Sequence, residues 1–117
     1  MRHRKSGKKF GRKKGPREAM LGNLATSVVL YESVKTTEAK AKAIKPVVEK
    51  FVTVSRDNSL HTRRKLLQFF YDENAVNKLL QELGPRYKDR PGGYMRITRL
   101  GKRKGDAATM VRLEFVK

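Results

Sequence analysis

The stretch Asp72–Leu100, DENAVNKLLQELGPRYKDRPGGYMRITRL, decides the fold. Val76, Leu79, Leu80 and Leu83 recur at spacings of three and four, the clearest helical period in the chain. Asp72 stands where an N-cap carboxylate accepts from the free N–H groups of a first turn. Gly84-Pro85 reads as the stop, a C-terminal glycine followed by the residue least able to continue a helix. A loop holding Pro85, Pro91, Gly92 and Gly93 follows, and from Tyr94 to Leu100 the pattern is β-like. The same pattern returns over Thr109–Val116, where Val111, Leu113 and Phe115 alternate with Arg112 and Glu114. Gly101–Ala108 joins the two runs, which predicts a hairpin with a long basic tip.

Upstream, Met20, Leu24 and Val28 repeat every four residues behind Pro16, a residue tolerated at a helix start. This predicts an amphipathic helix from about Pro16 to Val28, weakened by Gly22, and then a short strand over Leu30–Lys35. Thr36 or Thr37 suits the cap of a second helix whose stripe is Ala41, Ile44, Val47 or Val48, Phe51 and Val54. Pro46 deprives the Lys42 carbonyl of its partner, which predicts a kink. Arg56-Asp57-Asn58-Ser59 is turn chemistry, with Asp57 or Ser59 capping a third helix, Leu60–Phe70. That helix is expected to turn Leu60, Leu67 and Phe70 inward and Arg63, Arg64 and Lys65 outward. The element order, α-β-α-α-α-β-β, argues for a two-layer α+β domain over residues 16–117.

Composition narrows the function. The chain has 117 residues, 38% apolar, enough for one modest core. Its 29 Lys and Arg against 11 Asp and Glu give a formal charge of +18. Such self-repulsion opposes a compact state unless a polyanion offsets it, and nucleic acid heads the candidates. Cysteine is absent, so disulfides, thiolate metal sites and thiol nucleophiles are excluded. No apolar run is long enough to span a bilayer. The basic N-terminus lacks the apolar region of a secretory signal and reads as mature protein.

Residues 1–15, MRHRKSGKKFGRKKG, hold eight Lys or Arg and no acid. So little apolar surface cannot drive folding alone, which predicts an extended basic arm that RNA orders. The candidate RNA contacts there are Arg2, His3, Arg4, Lys5, Lys8, Lys9, Arg12, Lys13 and Lys14, with Arg17 just beyond. A second cluster is Arg63 and Arg64 on the third helix. The third is Arg86, Arg90, Arg96, Arg99, Lys102, Arg103 and Lys104, with one acid, Asp89, among them. Cations neutralise phosphate, and the arginine fork also suits bidentate contact. Tyr87 and Tyr94 suit either stacking on unpaired bases or packing in the domain, and the usual burial of aromatics favours packing.

An enzyme needs convergent groups, and none are legible. His3 and His61 have no second ligand at metal spacing. The glycines match neither a P-loop nor a dinucleotide fingerprint. The expectation is a protein without catalytic activity, metal, cofactor or small-molecule substrate. Charge alone does not separate RNA from DNA or from anionic lipid. However, no helix-turn-helix, basic zipper or zinc-finger pattern appears, and the apolar stripes are needed for the core.

The segments MRHRKSGKKFGR, REAMLGNLATSVV, VKTTEAKAKAIKPVVEK and ELGPRYKDRPGGYMRI together resemble the bacterial large-subunit ribosomal protein L17 family. The resemblance runs in order over nearly the whole chain and is most specific in the opening RHR-S-G and in the LGPR…GGY-RI block. Pro46 departs from the family pattern. The resemblance implies four helices packed on a three-stranded mixed sheet, with the first strand parallel beside the last. It also implies a cytoplasmic structural constituent of the large ribosomal subunit bound to 23S ribosomal RNA. Its implied place is on the solvent side near the tunnel exit, with ribosomal protein L32 as a neighbour. The residues alone leave a second reading open, a free-standing nucleic-acid-binding or RNA-chaperoning protein.

Overall fold

The computed structural model describes residues 14–117, beginning in the first turn of helix α1 (Lys14–Tyr31). This helix buries Ala25, Val28 and Val29. It outruns its expected end, so the first strand starts later than Leu30, as β1 (Ser33–Thr37). Glu32 makes the turn between them at φ 63°, a left-handed conformation costing an L-residue about 1–2 kcal/mol. Helix α2 (Glu38–Val54) follows at once and runs unbroken through Pro46. Thr37 has the extended backbone of an N-cap, but its hydroxyl makes no capping bond. Glu38 instead places a carboxylate in the first turn, against the helix dipole. The buried stripe is Ala41, Ile44, Val48 and Val52. Phe51 lies at its margin, with ring centroids 4.8 Å from Phe69 and 5.2 Å from Phe70.

Ser59 caps α3 (Leu60–Phe70), its hydroxyl accepting from the Thr62 N–H at 3.2 Å. The buried face is Thr62, Leu66 and Phe70. Leu60, expected inward, is 63% exposed. It is two residues from Thr62, about 200° around the helix, and so faces away from the core. Leu67 is only partly buried, because the facing row passes through its neighbour Leu66. Tyr71 closes the helix at φ 56°. Asp72 then caps α4 (Glu73–Lys78), accepting from the Asn74 N–H at 2.8 Å.

Gly84-Pro85 does not end the fourth helix. α4 passes into a π-helical turn, Leu79–Leu83, and then a last α-helical turn, Gly84–Arg86. Gly84 is right-handed, at φ −56° and ψ −54°, and its N–H donates to the Leu79 carbonyl five residues back. The wider π turn accommodates Pro85, which has no N–H to donate. Glycine is needed at 84 for closeness rather than for chain reversal, since a Cβ there would lie 2.4 Å from the Ser55 carbonyl oxygen.

β2 (Met95–Lys102) and β3 (Thr109–Phe115) form the expected hairpin, with a register shift between Arg99 and Gly101. The strand order is β1-β3-β2, and both neighbouring pairs are antiparallel. β1 does lie beside the last strand, but the sheet is antiparallel rather than mixed. The chain leaves β1 through the helical layer and returns in β2 in the same direction. β3 then folds back between them, so the two strands that run parallel are never neighbours. Four helices thus cover one face of a three-stranded sheet, and Met95, Val111, Leu113 and Phe115 join the helical core. The α+β class and the element order are those read from the sequence. Among the described residues no helix is long and apolar enough to cross a membrane.

Candidate nucleic-acid interface

Seven of the 29 basic residues precede Lys14, leaving 22 on the described residues against all 11 acids. The acids are largely spent inside the domain. Glu32, Glu38, Glu82, Asp106 and Glu114 form ion pairs. Asp57 and Asp72 brace helix caps, and a Glu49 carboxylate oxygen accepts from the Met95 N–H at 3.1 Å. Lys42, Lys78, Arg86, Arg96, Arg99 and Arg103 are the paired cations. The other sixteen form no ion pair with a described residue, so the surface keeps a large surplus of free cations.

The candidate contacts divide accordingly. Arg2, His3, Arg4, Lys5, Lys8, Lys9, Arg12 and Lys13 lie outside the described residues. Lys14 and Arg17 sit at the start of α1, and Arg64 is exposed on α3. Arg63 donates to the Asn77 side-chain oxygen at 2.8 Å, tying α3 to α4. Arg90, in the loop before β2, and Lys102 and Lys104, at the hairpin end, are exposed and unpaired among the described residues. Arg96 pairs with Glu114 across the hairpin at 2.7 Å, and Arg99 reaches Glu38 in the first turn of α2 at 3.2 Å.

Arg86 is committed to the domain. Its two terminal nitrogens donate to the two Glu32 oxygens at 2.6 and 3.1 Å. The Lys78 ammonium lies 2.7 Å from the same carboxylate. Arg86 first and Lys78 second hold the Glu32 carboxyl down at about 2, against the opposing effect of burial. The bond to Glu32 in turn raises Arg86 above its ordinary value. This clamp fastens the end of α4 to the left-handed turn between α1 and β1.

The hairpin tip is more ordered than a long basic loop. β2 runs to Lys102, the Arg103 N–H donates to the Ala108 carbonyl at 2.8 Å, and the Ala107 N–H returns to the Arg103 carbonyl at 3.0 Å. Arg103 also grips the Asp106 carboxylate at 2.6 and 3.2 Å. That grip, helped by the Ala108 N–H, lowers Asp106 to about 2. Lys102 therefore precedes a fixed turn and Lys104 lies within it.

Both tyrosines pack inside. Tyr87 and Tyr94 are buried with centroids 5.1 Å apart. The Tyr87 hydroxyl donates to the Val116 carbonyl. The Tyr94 hydroxyl accepts from Arg56 and donates to the Arg90 carbonyl at 3.2 Å. Arg56 also lies over the Tyr94 ring, 5.5 Å from its centroid, and its buried Nε has no partner among the described residues.

Sequence reading missed two cations on the sheet face away from the helices. Strand alternation turns Lys35 and Arg112 to that side, and the β1–β3 register sets them directly opposite each other. Neither forms an ion pair with a described residue. The signal for each was the alternation around it, as in Val111-Arg112-Leu113. Their meeting depends on a long-range register that no local pattern carries.

Comparison with known proteins points to one family over nearly the whole chain. The family model described as Ribosomal protein L17 matches residues 20–116. A large ribosomal subunit protein bL17 from Carboxydothermus hydrogenoformans is 50% identical over 108 residues, 92% of this chain and 96% of the relative. The protein of the same name from Thermomicrobium roseum is 48% identical over 116 residues, 99% of each chain. A third, from Pelobacter propionicus, is 46% identical over all 117 residues and 92% of the relative.

Proposed function

Because the chain belongs to the ribosomal protein L17 family, we infer that it is a structural constituent of the large ribosomal subunit, holding 23S ribosomal RNA through phosphate contacts. The observation that carries the RNA contact is the unspent charge: sixteen described cations without an acidic partner, besides seven more before Lys14. Left unscreened, that charge works against folding, and an RNA surface neutralises it. Residues 1–15 act as a basic arm, the last two of them already in the first turn of α1, and 16–117 as the placing domain. Arg64, Arg90, Lys102 and Lys104 are the domain's readiest phosphate ligands, while Arg63, Arg86 and Arg103 mainly hold it in shape. The protein works in the bacterial cytoplasm without catalysing a reaction, and other large-subunit proteins, ribosomal protein L32 among them, are its neighbours.

Sedimentation tests this against a free-standing RNA-binding protein. Large subunits pelleted through a high-salt cushion should retain the protein stoichiometrically. Its loss at salt that leaves other subunit proteins bound would favour the transient binder.

A further inference from the structure

We propose that the open face of the antiparallel sheet is a docking platform for the sugar-phosphate backbone of double-helical RNA, centred on Lys35 and Arg112. This rests on the RNA-binding reading above and adds where on the domain a duplex sits, and in which form it is recognised.

The register is the starting point. Lys35 opposes Arg112 across β1 and β3, and Arg112 opposes Thr98 across β3 and β2. Like charges directly opposite in a sheet repel and are destabilising. The nearest acid on that face, Glu114, stands two residues from Arg112 on the same strand, but it is already held by Arg96 at 2.7 Å. Three cations against one engaged carboxylate therefore share a face that no helix covers among the described residues. A phosphate seated between Lys35 and Arg112 would turn a repulsive pair into two charge-assisted contacts.

The rest of the face identifies the form of the nucleic acid. Sheets that bind single strands stack bases on exposed aromatic rings. Here the face carries none: its other groups include the hydroxyls of Ser33, Thr37 and Thr98, donors and acceptors fit for ribose 2′-OH and phosphate oxygen. The aromatic side chains near the sheet, Tyr87, Tyr94 and Phe115, are buried on its other side. Arg96, Glu114 and Met110 complete the face, so the two opposed cations stand on a mainly polar surface whose hydroxyls suit the sugar-phosphate edges of a wide, shallow minor groove.

The test uses the full chain, a stable RNA hairpin of about 20 base pairs, and a single-stranded oligouridylate and a polyglutamate peptide as competitors. In the variant Lys35→Thr/Arg112→Thr, β-compatible residues replace the opposed cations, so thermal stability should hold or rise. Affinity for the hairpin should fall about tenfold or more, with a log–log salt slope shallower by up to about two. Thr98→Glu, which places a carboxylate opposite Arg112, should act the same way and decides the matter if the double variant does not fold. Unchanged hairpin affinity in variants that fold, with a wild type that binds, overturns the platform while leaving RNA binding intact. Stronger displacement by oligouridylate or polyglutamate overturns the choice of duplex RNA. A wild type with no salt-sensitive affinity for the hairpin overturns the RNA reading and the platform with it.

Discussion

Gly84 and Ser55 meet where the fourth helix crosses the end of α2. A Cβ at 84 would stand 2.4 Å from the Ser55 carbonyl oxygen and 2.9 Å from its carbon. The obstacle is backbone, which a rotamer change cannot clear. The π turn just before Gly84 and the absence of a side chain at Gly84 are thus two parts of one close helix contact.

Gly84→Ala should therefore destabilise the domain by about 1–3 kcal/mol through overpacking, although alanine is the better helix former by about 1 kcal/mol. Gly22→Ala provides the control, because nothing lies within 4 Å of a Cβ there. It should stabilise by about 0.5–1 kcal/mol. Urea denaturation of the two variants gives opposite signs if packing decides, and the same sign if helix propensity does.

The acid limb of stability should report the Glu32 clamp. A carboxyl lowered to about 2 when folded contributes stability that is full above its unfolded value near 4.5 and disappears as pH falls through 2. Partial exposure screens it, so about 1–2 kcal/mol is expected rather than the whole of the shift. Glu32→Gln should be less stable than wild type by that amount at pH 6, and the two should converge near pH 2. Denaturant midpoints across this range measure the gap, and a constant gap would mean that the ion pairs contribute nothing.

Local signals carried most of the fold. The Asp72 cap, the first turns of the α2 stripe and the β2–β3 alternation were legible, because each is written within a few residues. Ser59 was one of two caps offered for α3, and the last turn of the α2 stripe buries Val52 rather than Val54. The errors arose where one local pattern had two physical meanings. Gly84-Pro85 looks like a helix stop, but the glycine answers to Ser55, 29 positions away in sequence. The sheet direction depends on where β3 inserts, which strand patterns do not encode. Of the candidate site, the basic clusters were legible as charge. Their division into free cations and clamps was not, since Arg86 and Lys104 look alike until Glu32 is placed beside one of them.

Core and tip should separate by stability. Leu79 is fully buried, and Leu79→Ala should cost roughly 2–5 kcal/mol. Arg103 and Asp106 form an exposed pair at the turn, so Arg103→Ala should leave the melting temperature essentially unmoved. The same variant should weaken binding to ribosomal RNA fragments by loosening the turn that follows Lys102 and carries Lys104. Thermal melts with parallel binding isotherms check both, and comparable destabilisation by the two variants would place the tip in the core.

The division between clamps and free cations gives the last prediction, a crossed one. Arg86→Ala leaves Glu32 with Lys78 alone and frees the last turn of the fourth helix from the α1–β1 junction. It should cost about 1 kcal/mol of stability, a partly exposed pair's worth plus lost packing of its stem. Its effect on RNA should be small, because its guanidinium is already occupied by a bidentate partner. Lys104→Ala removes a cation with no ion-pair partner among the described residues, so the melt should not move. Each phosphate a protein neutralises releases counterions, so affinity should drop for every RNA tested and the log–log salt slope should become shallower by at most about one. Measuring melts and salt-dependent affinities for both variants fills a two-by-two comparison. If Arg86→Ala flattens the slope and Lys104→Ala does not, phosphate outcompetes Glu32 for Arg86 in the complex, and the clamp opens on binding.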